Sequence, residues 1–338
     1  MTDLIIRNYE GTQEELLVGY DKRSFYENWL LNEIWEVAFL VKKKSHNLVA
    51  FDLINYESFV IWQGQQFVIK EMQHFAVGES VYKHVVATHV YFTIQDGYQY
   101  STITGRRTPA QLLTHIFSAG NRGFSWNLEG TFPSTDKENF GDANYLRLIN
   151  DVLTDFELAV ILDNHRLTFM SKEEFGEKIN EPIRFKHNTD DVKFEIDTYA
   201  LKTQIRGFGA KREDNPEQYV FSPITYTSPE SSRWGIRIQE PVRDERYHHA
   251  DAMQQRLIRE LHDYPDISGV VKLKWKTEIK KGDYVPFIYE PLGINTYIQV
   301  VGIKTYPAIP NQPPEVILSN TRKSMTKILV NLRQKGVL

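Results

Sequence analysis

The stretch from Tyr226 to Tyr247, YTSPESSRWGIRIQEPVRDERY, constrains this chain more than any other feature. It sets Arg233, Arg237, Arg243 and Arg246 against Glu240, Asp244 and Glu245. β-rich regions precede it and an amphipathic helix follows. A charged crossover between packed units fits a chain wedged into an assembly, where Arg forks bind carboxylates bidentately and fix geometry. A solvated connector, whose surface ion pairs contribute little, is the alternative reading.

At 338 residues the chain is too long for one ordinary core, so two or three domains are expected. Hydrophobic residues at 41% and charged residues at 25% describe a folded composition. Eighteen Tyr and 19 Phe favour strands over helices. A net charge of −4 without a basic block does not indicate specific nucleic-acid binding. The absence of Cys removes disulfides, thiolate nucleophiles and Cys-ligated metals. No signal-type run opens the sequence, and no apolar stretch approaches the roughly 20 residues of a membrane helix.

Strands are predicted at 34–41, 48–54, 58–62, 66–72 and 81–94, with QGQ at 63–65 turning a hairpin. The period then changes. Thr108 caps a helix that Pro109 opens, with Gln111 completing a capping box and Leu112, Leu113, Ile116 and Phe117 inward. A second helix spans 143–155, where Tyr145, Leu148, Ile149, Val152, Leu153 and Phe156 recur at helical spacing. A hairpin turns at Asp163-Asn164-His165. Strands resume over 183–208, and an amphipathic helix at 248–262 turns Ala250, Met253, Leu257, Ile258 and Leu261 inward. Further strands follow at 269–276, 283–290, 295–306 and 315–319, and the segment TKILVNLRQKGVL reads as a strand or a short helix.

Motifs for catalysis are sparse. His84 and His89 sit five apart on a strand and so face opposite ways, while His248 and His249 read as exposed or capping. HExxH and GxSxG are both missing. Ser171-Lys172 has no partner motif, and Gly105–Arg107 and Gly207–Arg212 lack the P-loop Lys-Ser pair. Paired carboxylates distant in sequence leave a glycosidase open. Core packing is the default for the tryptophans, but Trp126 and Trp234 adjoin Gly-rich or polar segments that suit an interface anchor or a sugar-stacking ring.

Four pieces together resemble the prophage endopeptidase tail family, the hub proteins of long-tailed phage baseplates. They are WQGQQFVIKEMQ at 62–73; Leu201 to Gly209; Tyr226-Thr227-Ser228-Pro229 with Gly235-Ile236 and Pro241 to Arg246; and Gly282-Asp283, Leu292-Gly293-Ile294 and Tyr297 to Thr305. The resemblance implies a mainly β fold with an α+β insertion and two small β-barrel domains like those of a contractile-tail baseplate hub. Residues 1–96 with 166–205 would form the first barrel, and 206–236 with 267–338 the second. The inserted α+β domain would be 97–165, joined by the helix region 237–266.

Three copies would then ring an axis between tail tube and tip, with Arg233, Arg237, Glu240, Arg243, Asp244, Glu245 and Arg246 at the interface. Expected partners are further copies of the chain, distal tail and tail-tube proteins, and a lysin or receptor-binding tip protein. DNA would pass without specific binding. The chain would be made in the bacterial cytoplasm and act at the virion tail tip. It would end near the close of the second barrel, without a lysin extension. No catalytic residue, metal or cofactor is expected, and the chain is read as a non-enzyme. The competing readings are a carbohydrate- or receptor-binding tail module, with exposed Trp or Tyr beside polar groups in the 98–165 insertion, and a cell-wall endopeptidase or other hydrolase.

Overall fold

The computed structural model describes residues 3–189, 191–275 and 277–321. The chain divides into two compact units, Met1–Lys193 with Gly269–Leu338, and Phe194–Ser268.

The first unit opens with β1 (Leu4–Arg7), β2 (Glu14–Leu17), β3 (Tyr20–Leu30) and β4 (Ile34–Lys42). Helix α1 (Leu48–Leu53) follows, then β5 (Phe59–Trp62), β6 (Gln65–Val77) and β7 (Ser80–His89). Alternation builds β4, whose Val37, Phe39 and Val41 are fully buried. The β5–β6 hairpin turns at Gln63 and Gly64, with φ of 50° and 77°. A two-residue turn of this kind matches the strand twist, as the QGQ reading expects.

Residues 48–54, expected as a strand, form α1 instead. Ala50, Phe51 and Ile54 are buried together against Leu4, Ile6 and Phe25, on one helical face. A short apolar run has no period that separates the two forms, so tertiary contact decides. The run expected to stay extended to 94 leaves the sheet at His89, where a 3₁₀ segment spans Val90–Asp96. The His89 ring caps that segment, its Nδ1 accepting the Tyr91 N–H at 3.2 Å.

An α+β segment with its own core comes next. It comprises β8 (Tyr98–Arg107), α2 (Pro109–Phe117), β9 (Ser125–Leu128), β10 (Thr135–Asn144), α3 (Tyr145–Asp155), β11 (Leu158–Asp163) and β12 (Arg166–Ser171). The expected capping box on α2 is present. Thr108 Oγ1 accepts the Gln111 N–H at 3.4 Å, and Gln111 Oε1 accepts the Thr108 N–H at 3.0 Å. Leu112, Leu113 and Ile116 of α2 meet Leu148, Ile149 and Val152 of α3 in the buried cluster. Asn32 ties this segment to the N-terminal sheet: its Nδ2 donates to the Leu158 carbonyl at 2.8 Å and its Oδ1 accepts the Val160 N–H at 3.0 Å.

Beyond β13 (Ile183–Arg184), the strand β14 (Asp191–Asp197) carries the chain into the second unit. That unit contains β15 (Gln204–Phe208), β16 (Ile224–Thr227), the single turn α4 (Ser231–Trp234), β17 (Val242–Arg243) and α5 (Ala250–Glu260). The chain returns through β18 (Asp266–Lys272) to β19 (Tyr284–Tyr289), β20 (Ile294–Thr305) and β21 (Glu315–Ser319). The segment TKILVNLRQKGVL lies outside the described residues.

The two expected β-barrels are not formed. Among the described residues no sheet closes. The largest runs as an open path, β14-β18-β21-β20-β3-β4-β7-β6-β5-β1-β2, with β13 and β19 attached off it. The physical reason lies at β3. One edge of β3 pairs with β4, and the other pairs with β20 through Leu30↔Gly302 to Glu27↔Thr305. Over Glu27–Leu30 both edges of β3 are taken, so N-terminal and C-terminal strands run on into one open sheet instead of forming two separate rings. The mainly β character with helical insertions holds.

Candidate functional site

The charged crossover lies within the second unit. Its platform is the sheet β16-β15-β17, with β15 central. Helix α5 packs on this sheet through Met253, Leu257 and Leu261, which are buried with Ile205. Of the residues expected to face inward, Ala250 and Ile258 are exposed, Ile258 at 42%. Gly207 permits the close approach, because a Cβ there would lie 2.7 Å from Met253 Sδ.

The sequence from 234 to 239 is clamped along the start of β15. Thr203 is fully buried, and its Oγ1 donates to the Gly235 carbonyl at 2.7 Å and accepts the Arg237 N–H at 2.8 Å. The Arg237 carbonyl accepts the Thr203 and Gln204 N–H groups at 2.7 and 3.0 Å. Gly235 takes φ of 72° to make the bend. The clamp satisfies the backbone, and Ile236 and Ile238 stand 57% and 67% exposed.

The expected cluster separates into two groups. Asp244 is the hub of the first. Arg246 Nε donates to its Oδ1 at 2.7 Å and Arg246 Nη2 to its Oδ2, while Arg256 Nη1 reaches Oδ2 from α5 at 2.5 Å. These bonds, those of the Arg246 side chain first, hold the Asp244 carboxyl well below the usual carboxylate range against the opposing effect of burial. Arg256 also lies 3.5 Å from Glu260.

The second group faces outward. Arg233, Arg237 and Arg243 are exposed and form no ion pair among the described residues. The Arg243 guanidinium sits 4.1 Å from the Phe208 ring centre, with that of Arg206 5.3 Å from it. Arg233 stacks 4.4 Å from the Trp234 ring, whose buried indole N–H has no hydrogen-bond partner among the described residues. Glu240 and Glu245 are exposed and likewise outside any ion pair among those residues. Trp126 is placed elsewhere: half-buried on β9, it packs on the insertion core and stacks on Phe117 at 6.4 Å. Sequence reasoning missed Arg256, Arg206, Ile236 and Ile238; only the i, i+4 pairing of Arg256 with Glu260 was a local signal.

The first unit holds a separate charged knot. Glu27 accepts from Trp35 Nε1 at 2.8 Å, Lys281 Nζ at 2.9 Å and Trp62 Nε1 at 3.3 Å. Burial pushes the Glu27 carboxyl up, but Lys281 and these hydrogen bonds outweigh it and hold it below the ordinary value. Lys281 lies 3.6 Å from the Trp35 ring centre, and Trp35 stacks on His89 at 4.4 Å. Burial, with Lys281 and His165 nearby, lowers the His89 pKa to about 3. No group of three or more His, Asp or Glu is arranged to hold a metal among the described residues. No helix among them is long and apolar enough to cross a membrane.

Comparison with known proteins assigns the whole arrangement. Family models match in series: the prophage endopeptidase tail N-terminal domain at residues 4–89, a prophage endopeptidase tail domain at 96–169, and the prophage endopeptidase tail at 177–329. The prophage tail protein gp18 of Listeria monocytogenes is 45% identical, with 98% of this chain and 99% of that chain covered and a TM-score of 0.77. A tail protein from Neisseria meningitidis shares the fold at 12% identity, TM-score 0.54 and coverage of 94% and 96%. A 43 kDa tail protein of prophage MuSo2 from Shewanella oneidensis does so at 10% identity, TM-score 0.56 and coverage of 94% and 97%. No curated protein matches.

The expectation of a non-enzyme is corrected by these matches. The family is described as an endopeptidase tail, which gives it a peptidase-associated function that a flat exclusion contradicts. The three matched regions and the Listeria relative lead to one conclusion: this chain is a phage or prophage tail protein and belongs to the prophage endopeptidase tail family.

Proposed function

We propose that the chain is a structural hub of the tail baseplate, three copies of it surrounding an axis between tail tube and tip. In that position it holds a peptidase-bearing or receptor-binding device, contacts distal tail and tube proteins, and lets DNA pass without reading it. The observation that carries this reading is the outward face of the second unit. Arg233, Arg237 and Arg243 lack ion-pair partners there among the described residues, beside the exposed Ile236 and Ile238. The unpaired glutamates Glu240 and Glu245 of a second copy supply the complementary charge. Apolar anchors rimmed by Arg are the usual composition of a protein interface.

The test is the double charge reversal Arg237→Glu/Arg243→Glu in the full chain, followed by sedimentation. The variant is expected to fold normally and to sediment as a smaller species than the wild type. Identical assembly of variant and wild type overturns the interface.

A further inference from the structure

The α+β insertion carries a second surface that the hub role does not use. Tyr98 and Tyr100 stand on one face of β8 with Gln99 buried between them, and Thr102 and Thr104 follow along the strand. The tyrosines and threonines are all exposed, Tyr100 at 80%. Every one of them carries a hydroxyl. The Tyr98 and Tyr100 rings lie 4.6 Å apart at 44°, forming a shallow aromatic notch at one end of the row. The Tyr98 hydroxyl donates to Asp142 Oδ1 at 3.0 Å, fixing the carboxylate at the rim of the notch.

The partner strand β10 is built to present that carboxylate. Its register with β8 shifts between Lys137 and Phe140 and again between Gly141 and Ala143. Asn139 and Asp142 take φ of 50° and 47°, and Gly141 takes 140°. A Cβ at Gly141 would collide with the Ser101 carbonyl, so the strand needs glycine there. Bulges of this kind re-aim side chains and gather beside functional sites. Beneath the face, Phe140 and Ala143 are buried, so the bulged strand is anchored on the core.

We propose that this face binds a glycan. A pyranose presents an apolar C–H face that stacks on an aromatic ring and a rim of hydroxyls that pair with a carboxylate and with other hydroxyls. Tyr98 and Tyr100 supply the ring surface, Asp142 accepts two adjacent sugar hydroxyls, and Thr102 extends the row. Tyr suits this duty because its ring is apolar and its tip is wet. A protein partner would call for a contiguous apolar centre, whereas here the two rings are followed along the strand only by threonines. The inference does not depend on the trimeric hub.

The test probes the purified full chain on an array of bacterial surface oligosaccharides, comparing wild type with Tyr100→Ala, Asp142→Asn and the distant control Tyr199→Ala. Wild type and control are expected to retain the same saccharide. Tyr100→Ala and Asp142→Asn are each expected to weaken it by roughly tenfold or more, with thermal unfolding unchanged for Tyr100→Ala. No saccharide retained by wild type overturns the proposal, as does equal retention by Tyr100→Ala. Loss of binding to another tail protein in Tyr100→Ala, with no saccharide retained by wild type, reassigns the face to a protein partner and also overturns it.

Discussion

Asp244 on the crossover receives Arg256 from helix α5 at 2.5 Å, a bond that joins the charged segment to the helix beneath it. Arg246 grips the same carboxylate, so these two arginines are committed inside the unit, while Arg243, three residues before Arg246, faces out. The crossover is thus part fastener and part surface.

Removing the carboxylate at the fastener leaves two guanidinium groups close together without their anion. Asp244→Asn is expected to destabilise the second unit by roughly 1–3 kcal/mol. Because the folded carboxyl sits below its unfolded value, its contribution is present above the unfolded pKa and is lost as pH falls through the folded one. Urea titration at neutral pH, followed by a probe in the second unit, checks this; an unchanged midpoint contradicts it.

Single reversals separate the two roles. Arg246→Glu, at a side chain 43% exposed, is expected to lower stability by roughly 1 kcal/mol, whereas Arg243→Glu changes it by about 0.5 kcal/mol or less. Assembly should respond in the opposite order. Paired denaturation and sedimentation of both variants read the contrast, and equal effects on stability would remove it.

Gly207 tests the packing under the crossover. Gly207→Ala brings a methyl within 2.7 Å of Met253 Sδ and 3.1 Å of Leu257 Cδ1, both side chains fully buried. A loss of about 1–3 kcal/mol is expected from overpacking. In a double-mutant cycle the cost of Gly207→Ala should be smaller in a Met253→Ala background than in the wild type; an equal cost in both backgrounds contradicts the overpacking.

His89 sets an acid limit on the first unit. Its folded pKa, lowered to about 3, lies below the unfolded value of 6.5. The unfolded chain therefore takes up a proton that the folded chain refuses. Stability from this group is complete above pH 6.5 and is lost as pH falls from there toward 3, at up to about 1.4 kcal/mol per pH unit. Denaturation at a series of pH values should give a shallower slope for His89→Gln than for wild type between pH ~6 and ~5; equal slopes contradict it.

What the sequence disclosed was local. Thr108, Pro109 and Gln111 announce α2 because a capping box is written within four consecutive residues. The stripe from Tyr145 to Leu153 announces α3 because one face is buried at helical spacing. The run LVAFDLI concealed α1, since an apolar segment that short reads equally as strand. Barrel closure failed on the pairing of Trp29 with Ile303, a contact between the two ends of the chain that no local pattern encodes.

The site was legible to the same degree. Asp244 and Arg246 stand two apart and do pair, but Arg256 comes from another element and the Thr203 clamp from the residue just before β15. The carbohydrate-binding reading placed exposed Trp or Tyr in the 98–165 insertion without naming Tyr98 and Tyr100, because the bulges that set Asp142 beside them arise from pairing between β8 and β10.

Native mass of the purified full chain, measured across a concentration series, tests the trimeric hub most directly, since self-association follows mass action. The expected result is a species of three chains that grows with concentration and is lost in Arg237→Glu/Arg243→Glu. A dimer, or a monomer that persists unchanged to the highest concentration, would contradict the hub.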